Sequence, residues 1–324
     1  MAQRTGDRVV TDGNDKQAER LDPALRHLAG ARTDLAAELL QTVRAGLNRR
    51  RCDDAAALDA TGVQITDQQV DTGDGSVGVR IYRGVDGLSP AVIYCHAGAF
   101  VLGNLDTDHR QCLEFARRGR CTVVSVDYRL APEHPYPAAL EDALAVLTWM
   151  VADADELGID PSRVAVAGSS AGGALAATLA RLAADGIAPP VVFQLLHQPV
   201  LDDRPTPSKE EFTATPGFDG PACAQMWRHY RTSADAAHAV PARTDELSGC
   251  ATAFITCSEL DPLRDEAIDY ALRLMWAGVA TELRVIPGTM HGFDSMAPDW
   301  VISQELFAQQ GTALLRALHA GQVY

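Results

Sequence analysis

The stretch Val164-Ala165-Val166-Ala167-Gly168-Ser169-Ser170-Ala171-Gly172-Gly173 constrains what this chain can fold into more than any other. A short apolar run leads into an Ala/Leu-rich one, and between them one serine stands in the pattern Gly-x-Ser-x-Gly. That pattern describes a strand turning sharply into a helix. Small residues at 168 and 172 leave room for the turn, and the hydroxyl of Ser170 is presented at the helix N-terminus. The plain alternative is a Gly/Ser-rich connection without chemistry, and what separates the two is whether strand, helix and catalytic partners accompany the serine.

Strand and helix signals alternate around this point. Val63 to Val70 and Val77 to Tyr82 are rich in β-formers and are separated by Thr72-Gly73-Asp74-Gly75, which predicts an antiparallel hairpin. Short buried strands follow at Ala91 to Cys95, Cys121 to Val126, Val164 to Ala167, Val191 to Leu196, Ala251 to Cys257 and Ala280 to Ile286. Helical segments fall between them at about Asp108 to Arg118, Ala138 to Ala152, Ala171 to Ala184 and Arg264 to Ala277, with a last helix beginning near Pro298. This rhythm predicts an α/β fold with a mostly parallel central sheet and helices on both faces. Residues 202 to 245 break it with Pro205, Pro207, Pro216, Gly217, Gly220 and Pro221, then a short helix near Ala222 to Arg231 carrying Met226, Trp227 and Tyr230. A long insertion after a sheet strand reads as a lid or binding region.

Ahead of the sheet, residues 1 to 20 are polar and read as poorly ordered. Asp22-Pro23 resembles an N-cap with proline at the first helical position. A second helix is expected over Leu35 to Leu47, with Leu35, Leu39, Val43 and Leu47 forming a stripe, widened by Leu40, that packs on the same protein. The expected division is therefore N-terminal cap helices over 1–50, a core over 51–201 and 246–324, and a cap insertion over 202–245.

Composition excludes several alternatives. A net charge of −15 disfavours a nucleic-acid partner, which needs concentrated positive charge. Seven cysteines lie scattered without a Cys-x-x-Cys pair or ligand cluster, which predicts reduced thiols in a cytoplasmic protein and no metal site. The N-terminus offers polar residues where a secretion signal needs an apolar run, and the most apolar segment, 164–184, contains the serine turn and Arg181, so no integral membrane association is expected.

A serine hydroxyl is a weak nucleophile that needs a base, and the base needs an orienting carboxylate. The sequence supplies Ser170, then Asp261 in Glu259-Leu260-Asp261-Pro262-Leu263-Arg264-Asp265, then His291 in Met290-His291-Gly292-Phe293. The order Ser, acid, His is that of an α/β-hydrolase. Asp261 and His291 each follow a late strand, so both can reach the sheet edge that carries Ser170. Glu259 and Asp265 are alternative acids, the latter better read as a first-turn helix residue. His96-Ala97-Gly98-Ala99-Phe100 follows a buried strand, so N–H groups of Gly98 and Ala99 can converge with that of Ala171 as an oxyanion hole.

With these motifs assembled, the chain resembles the hormone-sensitive-lipase-like family of α/β-hydrolases, the bacterial esterase group IV, over roughly residues 63 to 320. The marks are His96 to Phe100, Asp127-Tyr128-Arg129-Leu130-Ala131-Pro132-Glu133 with the following His134-Pro135-Tyr136-Pro137-Ala138, Gly168 to Gly173, Asp261 to Asp265 and His291-Gly292-Phe293. The resemblance implies Ser170 as nucleophile, Asp261 as acid, His291 as base, and Gly98, Ala99 and Ala171 as oxyanion donors, with His96 a scaffold residue. It further implies hydrolysis of short or medium acyl esters without a cofactor, and a helical cap formed by the N-terminal helices and residues 202–245. The partner is then a small-molecule ester, with a homodimer as an allowed assembly. An amidase or lactonase on the same triad, and a catalytically silent small-molecule receptor, are the alternative functions.

Two departures from the family pattern stand out: alanine at 97 and 99 in the usual His-Gly-Gly-Gly signature, and Ser169 before the nucleophile. Ala99 keeps its backbone donor but adds a methyl beside the acyl site and restricts the dihedrals. Asp127, Arg129 and Glu133 are expected to form a paired network at a strand end that locks the oxyanion loop.

Overall fold

The computed structural model describes residues 17–73, 75–232 and 239–320. The first sixteen residues and Asp74 of the expected hairpin turn lie outside it. Eight strands form one sheet in the order β1-β2-β4-β3-β5-β6-β7-β8: β1 (Gln64–Asp71), β2 (Ser76–Arg83), β3 (Ser89–Cys95), β4 (Thr122–Asp127), β5 (Ile159–Ser169), β6 (Phe193–His197), β7 (Thr252–Leu260) and β8 (Thr281–Met290). β1 and β2 pair antiparallel as the hairpin, β2 pairs antiparallel with β4, and every other pairing is parallel.

The helices are α1 (Leu40–Ala57), α2 (His109–Gly119), α3 (Ala138–Ala152), α4 (Ala154–Leu157), α5 (Ala171–Ala184), α6 (Pro207–Glu211), α7 (Gly220–Tyr230), α8 (Arg264–Trp276), α9 (Phe293–Met296) and α10 (Val301–Leu318). Strand alternation explains why two faces are covered. On β3, Ala91, Ile93 and Cys95 join one apolar cluster with residues of α3, α5 and α8, while Val92 and Tyr94 join another with Cys112, Phe115 and Leu314 of α2 and α10. A third, smaller cluster brings Leu21 and Leu25 against Phe212, Leu260, Met290 and Phe293. Leu260 and Met290 immediately precede Asp261 and His291, so the N-terminal segment packs on the roots of both loops. Among the described residues no helix is long and apolar enough to cross a membrane.

The N-terminal segment keeps most of the expected apolar stripe: Leu35 and Leu40 are buried, and Val43 and Leu47 pack against the same core. Asp22 does cap a short 3₁₀ turn, Pro23–Leu28, by accepting from the Ala24 N–H at 2.9 Å. The longer helix, however, starts at Leu40 and runs to Ala57. Leu35 is buried ahead of it and Leu39 is exposed. Polar anchors accompany this packing: Arg44 donates to the carbonyls of Val101 (2.6 Å) and Ala131 (2.7 Å) and pairs with Glu133. These bonds add to the packing of Leu40, Val43 and Leu47 on the core.

The same pairing overturns the network expected of Asp127, Arg129 and Glu133. Arg129 turns to the buried Asp142 of α3, 2.8 Å away, and to Glu141. Glu133 goes to Arg44, whose guanidinium holds its carboxyl down to about 2. Asp127 joins neither pair. Arg129 reaches back along its own strand end to α3, whereas Glu133, further on, faces α1.

Candidate active site

β5 delivers Ser170 to the sheet edge in a backbone conformation few residues adopt, with φ 55° and ψ −116°. Two glycines make this turn possible. A Cβ at Gly168 would lie 2.2 Å from the carbonyl oxygen of Gly172, and one at Gly172 would lie 1.9 Å from that of Cys95. The turn is fixed from both sides: the Ser170 N–H donates to the His197 carbonyl at 2.8 Å, and the Ser170 carbonyl accepts from the Val200 N–H at 3.0 Å. Strain held by such surroundings is typical of a pre-organised site.

Asp261 follows β7 directly and His291 follows β8 directly. The structure brings the three together: His291 Nε2 lies 3.0 Å from Ser170 Oγ, and His291 Nδ1 lies 2.8 Å from Asp261 Oδ2. The other Asp261 oxygen, Oδ1, accepts from the Leu263 N–H at 2.8 Å, so the carboxylate is satisfied although wholly buried. Facing this carboxylate, Nδ1 carries the ring proton, which leaves Nε2 free to accept from the serine hydroxyl. Burial resists charging of His291, but the Asp261 carboxylate outweighs it and Asp294 and Glu266 act in the same direction, so its pKa is raised above the ordinary imidazole value.

The two alternative acids are engaged elsewhere. Glu259 accepts from the Gly288 N–H at 2.8 Å and pairs with Arg20. Asp265 accepts from the Ser208 N–H at 2.8 Å and pairs with Arg264.

In the loop after β3, Gly98 has φ 142°, and a Cβ there would lie 2.0 Å from the Leu102 carbonyl oxygen. Ala99 and Phe100 have φ 54° and 59°, so the alanine that replaces the family's glycine is held in the left-handed region. The N–H groups of Gly98, Ala99 and Ala171 donate to no protein acceptor among the described residues. The loop is braced from behind. Asp108 accepts from the Ala97 N–H at 2.8 Å, the Tyr128 hydroxyl donates to the His96 carbonyl at 2.7 Å, and the His96 ring stacks on Tyr128. Burial pushes the His96 pKa down to about 4, so it stays neutral as a loop prop.

Around this array lies a polar shell that the sequence did not advertise. His197 Nε2 contacts Asp294 at 3.1 Å, and Gln111 donates to the other Asp294 oxygen at 2.6 Å. Gln198 bridges Ser258 and Gly292. Of these only Gly292 sits in a quoted motif; the sequence signal was that Gln198 follows the end of β6 and Asp294 follows the His291-Gly292-Phe293 motif. Among the described residues no group of three or more His, Cys, Asp or Glu is placed to hold a metal ion.

Residues 92–295 match the model of a family described as having the alpha/beta hydrolase fold. The crystal structure of esterase LipW from Mycobacterium marinum is similar at 59% identity with a TM-score of 0.90, over 93% of this chain and 96% of that one. Carboxylesterase NlhH of Mycobacterium tuberculosis is 43% identical over 239 residues, 71% of this chain and 75% of the relative. Esterase LipI of the same organism is 41% identical over 240 residues, again 71% and 75%.

Proposed function

The chain belongs to the hormone-sensitive-lipase-like family of α/β-hydrolases, and we infer that it is a carboxylic ester hydrolase for short to medium acyl chains in which Ser170, His291 and Asp261 carry the reaction. The observation that carries this reading is the unbroken contact chain from Ser170 Oγ through the His291 imidazole to Asp261.

In acylation, Ser170 Oγ attacks the ester carbonyl carbon as its proton passes to His291 Nε2. The carbonyl oxygen becomes an oxyanion and accepts from the N–H groups of Gly98, Ala99 and Ala171. The imidazolium, stabilised by Asp261, returns its proton to the leaving alkoxide, and the alcohol departs from an acyl-serine. Water then gives a proton to His291, attacks the acyl carbon, and the carboxylic acid leaves as Ser170 recovers its proton. Each step balances with these residues, the ester and water.

The proposed cap covers residues 1–50 and 202–245 over a core of 51–201 and 246–324, with α1 running through the first boundary to Ala57. Its support is that the two cap segments bond to each other: the Leu35 N–H donates to Gln225 at 3.0 Å and His229 Nε2 to the Leu35 carbonyl at 2.8 Å. A cytoplasmic location is supported by seven unpaired thiols, six of them buried. A homodimer is supported by the exposed Leu272, Met275 and Trp276 of α8 beside β8, the last strand of the sheet, whose edge a second copy would cover.

Ser170→Ala tests the catalytic reading. It removes the attacking oxygen and should abolish turnover of an activated short-chain ester while leaving the far-UV spectrum and thermal midpoint close to those of the parent. Retained turnover would move the nucleophile elsewhere.

A further inference from the structure

Beyond β6 the chain makes a turn, His197-Gln198-Pro199-Val200, that touches both reacting side chains' supports. Its backbone clasps Ser170: the His197 carbonyl accepts the Ser170 N–H at 2.8 Å and the Val200 N–H donates to the Ser170 carbonyl at 3.0 Å. The side chain of Gln198 reaches the opposite way. Its Oε1 accepts from the Gly292 N–H at 2.7 Å, one residue beyond His291, and its Nε2 donates to Ser258 Oγ at 2.9 Å. Ser258 in turn donates to the Met290 carbonyl at 3.0 Å, one residue before His291. The His291 peptide is thus gripped on both sides by one amide.

We propose that Gln198 is a positioning residue for His291, setting the imidazole's reach to Ser170 Oγ by tying residues 290 and 292 to the turn that holds the nucleophile's backbone. Three features of its setting agree with this. Gln198 is 1% exposed, and both ends of its amide are satisfied by the brace. Its backbone is held at φ 45°, a left-handed conformation that a side chain rarely adopts, and its N–H is locked to the Thr256 carbonyl at 2.7 Å. A solvent-facing glutamine would not have both ends of its amide satisfied by buried partners. The brace also explains the placement of the His291 loop, which has only glycine at 292, at φ 71°, to begin α9.

The inference rests on His291 being the base, so the experiment separates the two. Gln198→Met keeps length and volume but removes both bonds; Ser258→Ala removes the far half of the brace and serves if the first variant does not fold. Each is made in the full-length parent and in a His291→Ala background, with an activated short-chain ester as substrate. Because small misplacements of a reacting group cost up to about 100-fold in rate, Q198M should lower kcat by about 10- to 100-fold with KM within about 2-fold. S258A should lower it less, in the same pattern. In the H291A background neither change should lower the residual rate further, since there is no imidazole left to misplace. Parent-like kcat in folded Q198M and S258A, or the same fold loss with and without His291, would overturn the positioning role. An H291A protein as active as the parent would instead overturn the assignment of the base.

Discussion

The phenyl ring of Phe218 lies 5.1 Å from the imidazole of His291, centroid to centroid, tilted by 40°. Local bonds hold it there: the Phe218 carbonyl accepts from the Thr215 hydroxyl at 2.9 Å, and the neighbouring Gly217 N–H donates to the Ala31 carbonyl at 3.2 Å. On the proposed mechanism His291 Nε2 hands the proton to the departing alcohol, and Phe218 is then predicted to line the leaving-group side. With an aromatic contact contributing about 0.5–1.5 kcal/mol, Phe218→Ala should lower kcat/KM for aryl esters by about 2- to 12-fold. The loss for the methyl ester of the same acid should be smaller. Equal losses for both, measured side by side, would remove Phe218 from the leaving-group side.

On the proposed assignment Asp261 orients the imidazole that it contacts at 2.8 Å, and its two rivals have structural partners of their own. Asp261→Asn cannot accept the Nδ1 proton as a carboxylate does and should reduce kcat by about 10³- to 10⁴-fold with the fold retained. Glu259→Gln and Asp265→Asn should act mainly on stability, since Glu259 serves Gly288 and Arg20 and Asp265 serves Ser208 and Arg264. A near-normal kcat for D261N, with collapse in either of the others, would move the assignment.

The acid limb of the rate profile follows from His291. The base must be neutral, and its pKa is raised because the facing Asp261 carboxylate, with Asp294 and Glu266, outweighs the effect of burial. Activity is therefore full above the raised pKa and lost as pH falls through it. The midpoint of kcat/KM should lie above the ordinary imidazole value of about 6.5. Asp294→Asn, which removes one of those charges, should move the midpoint to lower pH. An upward move, or a parent midpoint below that value, would contradict the electrostatic account.

Ala99 is held at φ 54°, where an L side chain is strained. That conformation costs alanine about 1–2 kcal/mol. Replacing it with glycine returns about 0.4–1 kcal/mol to the unfolded chain as entropy. Ala99→Gly should therefore stabilise the protein by about 0 to 1.6 kcal/mol in denaturant unfolding, and should ease turnover of esters branched beside the carbonyl. A fall in stability would mean that the methyl makes packing contacts worth more than the strain it suffers.

The strand and helix rhythm was legible because each element had a local cause: apolar runs for β3 to β7, and Ala/Leu-rich segments for α3 and α5, whose limits matched at Ala138–Ala152 and Ala171–Ala184. The grouping of Ser170, Asp261 and His291 was legible because each follows a strand of one parallel sheet. What escaped reading depended on long-range partners. Arg44 reaches 89 residues on to Glu133, so the polar anchor that accompanies the apolar contacts of α1 had no local signal. Arg129 and Glu133 are near neighbours in sequence but face different helices. Gln198 carries no motif, and its role depends on Ser258 and Gly292, 60 and 94 residues away.

The central claim is that Ser170 is a nucleophile activated by His291, and covalent labelling tests it most directly. Full-length protein is treated with an organophosphate or a sulfonyl fluoride, the adduct is counted by intact mass and located by peptide mapping, and the labelling rate is compared with that of His291→Ala. We predict one adduct per chain on Ser170, concurrent loss of ester hydrolysis, and much slower labelling without the imidazole. Folded protein that hydrolyses esters while Ser170 stays unlabelled, or that labels Ser170 equally fast without His291, would contradict the account.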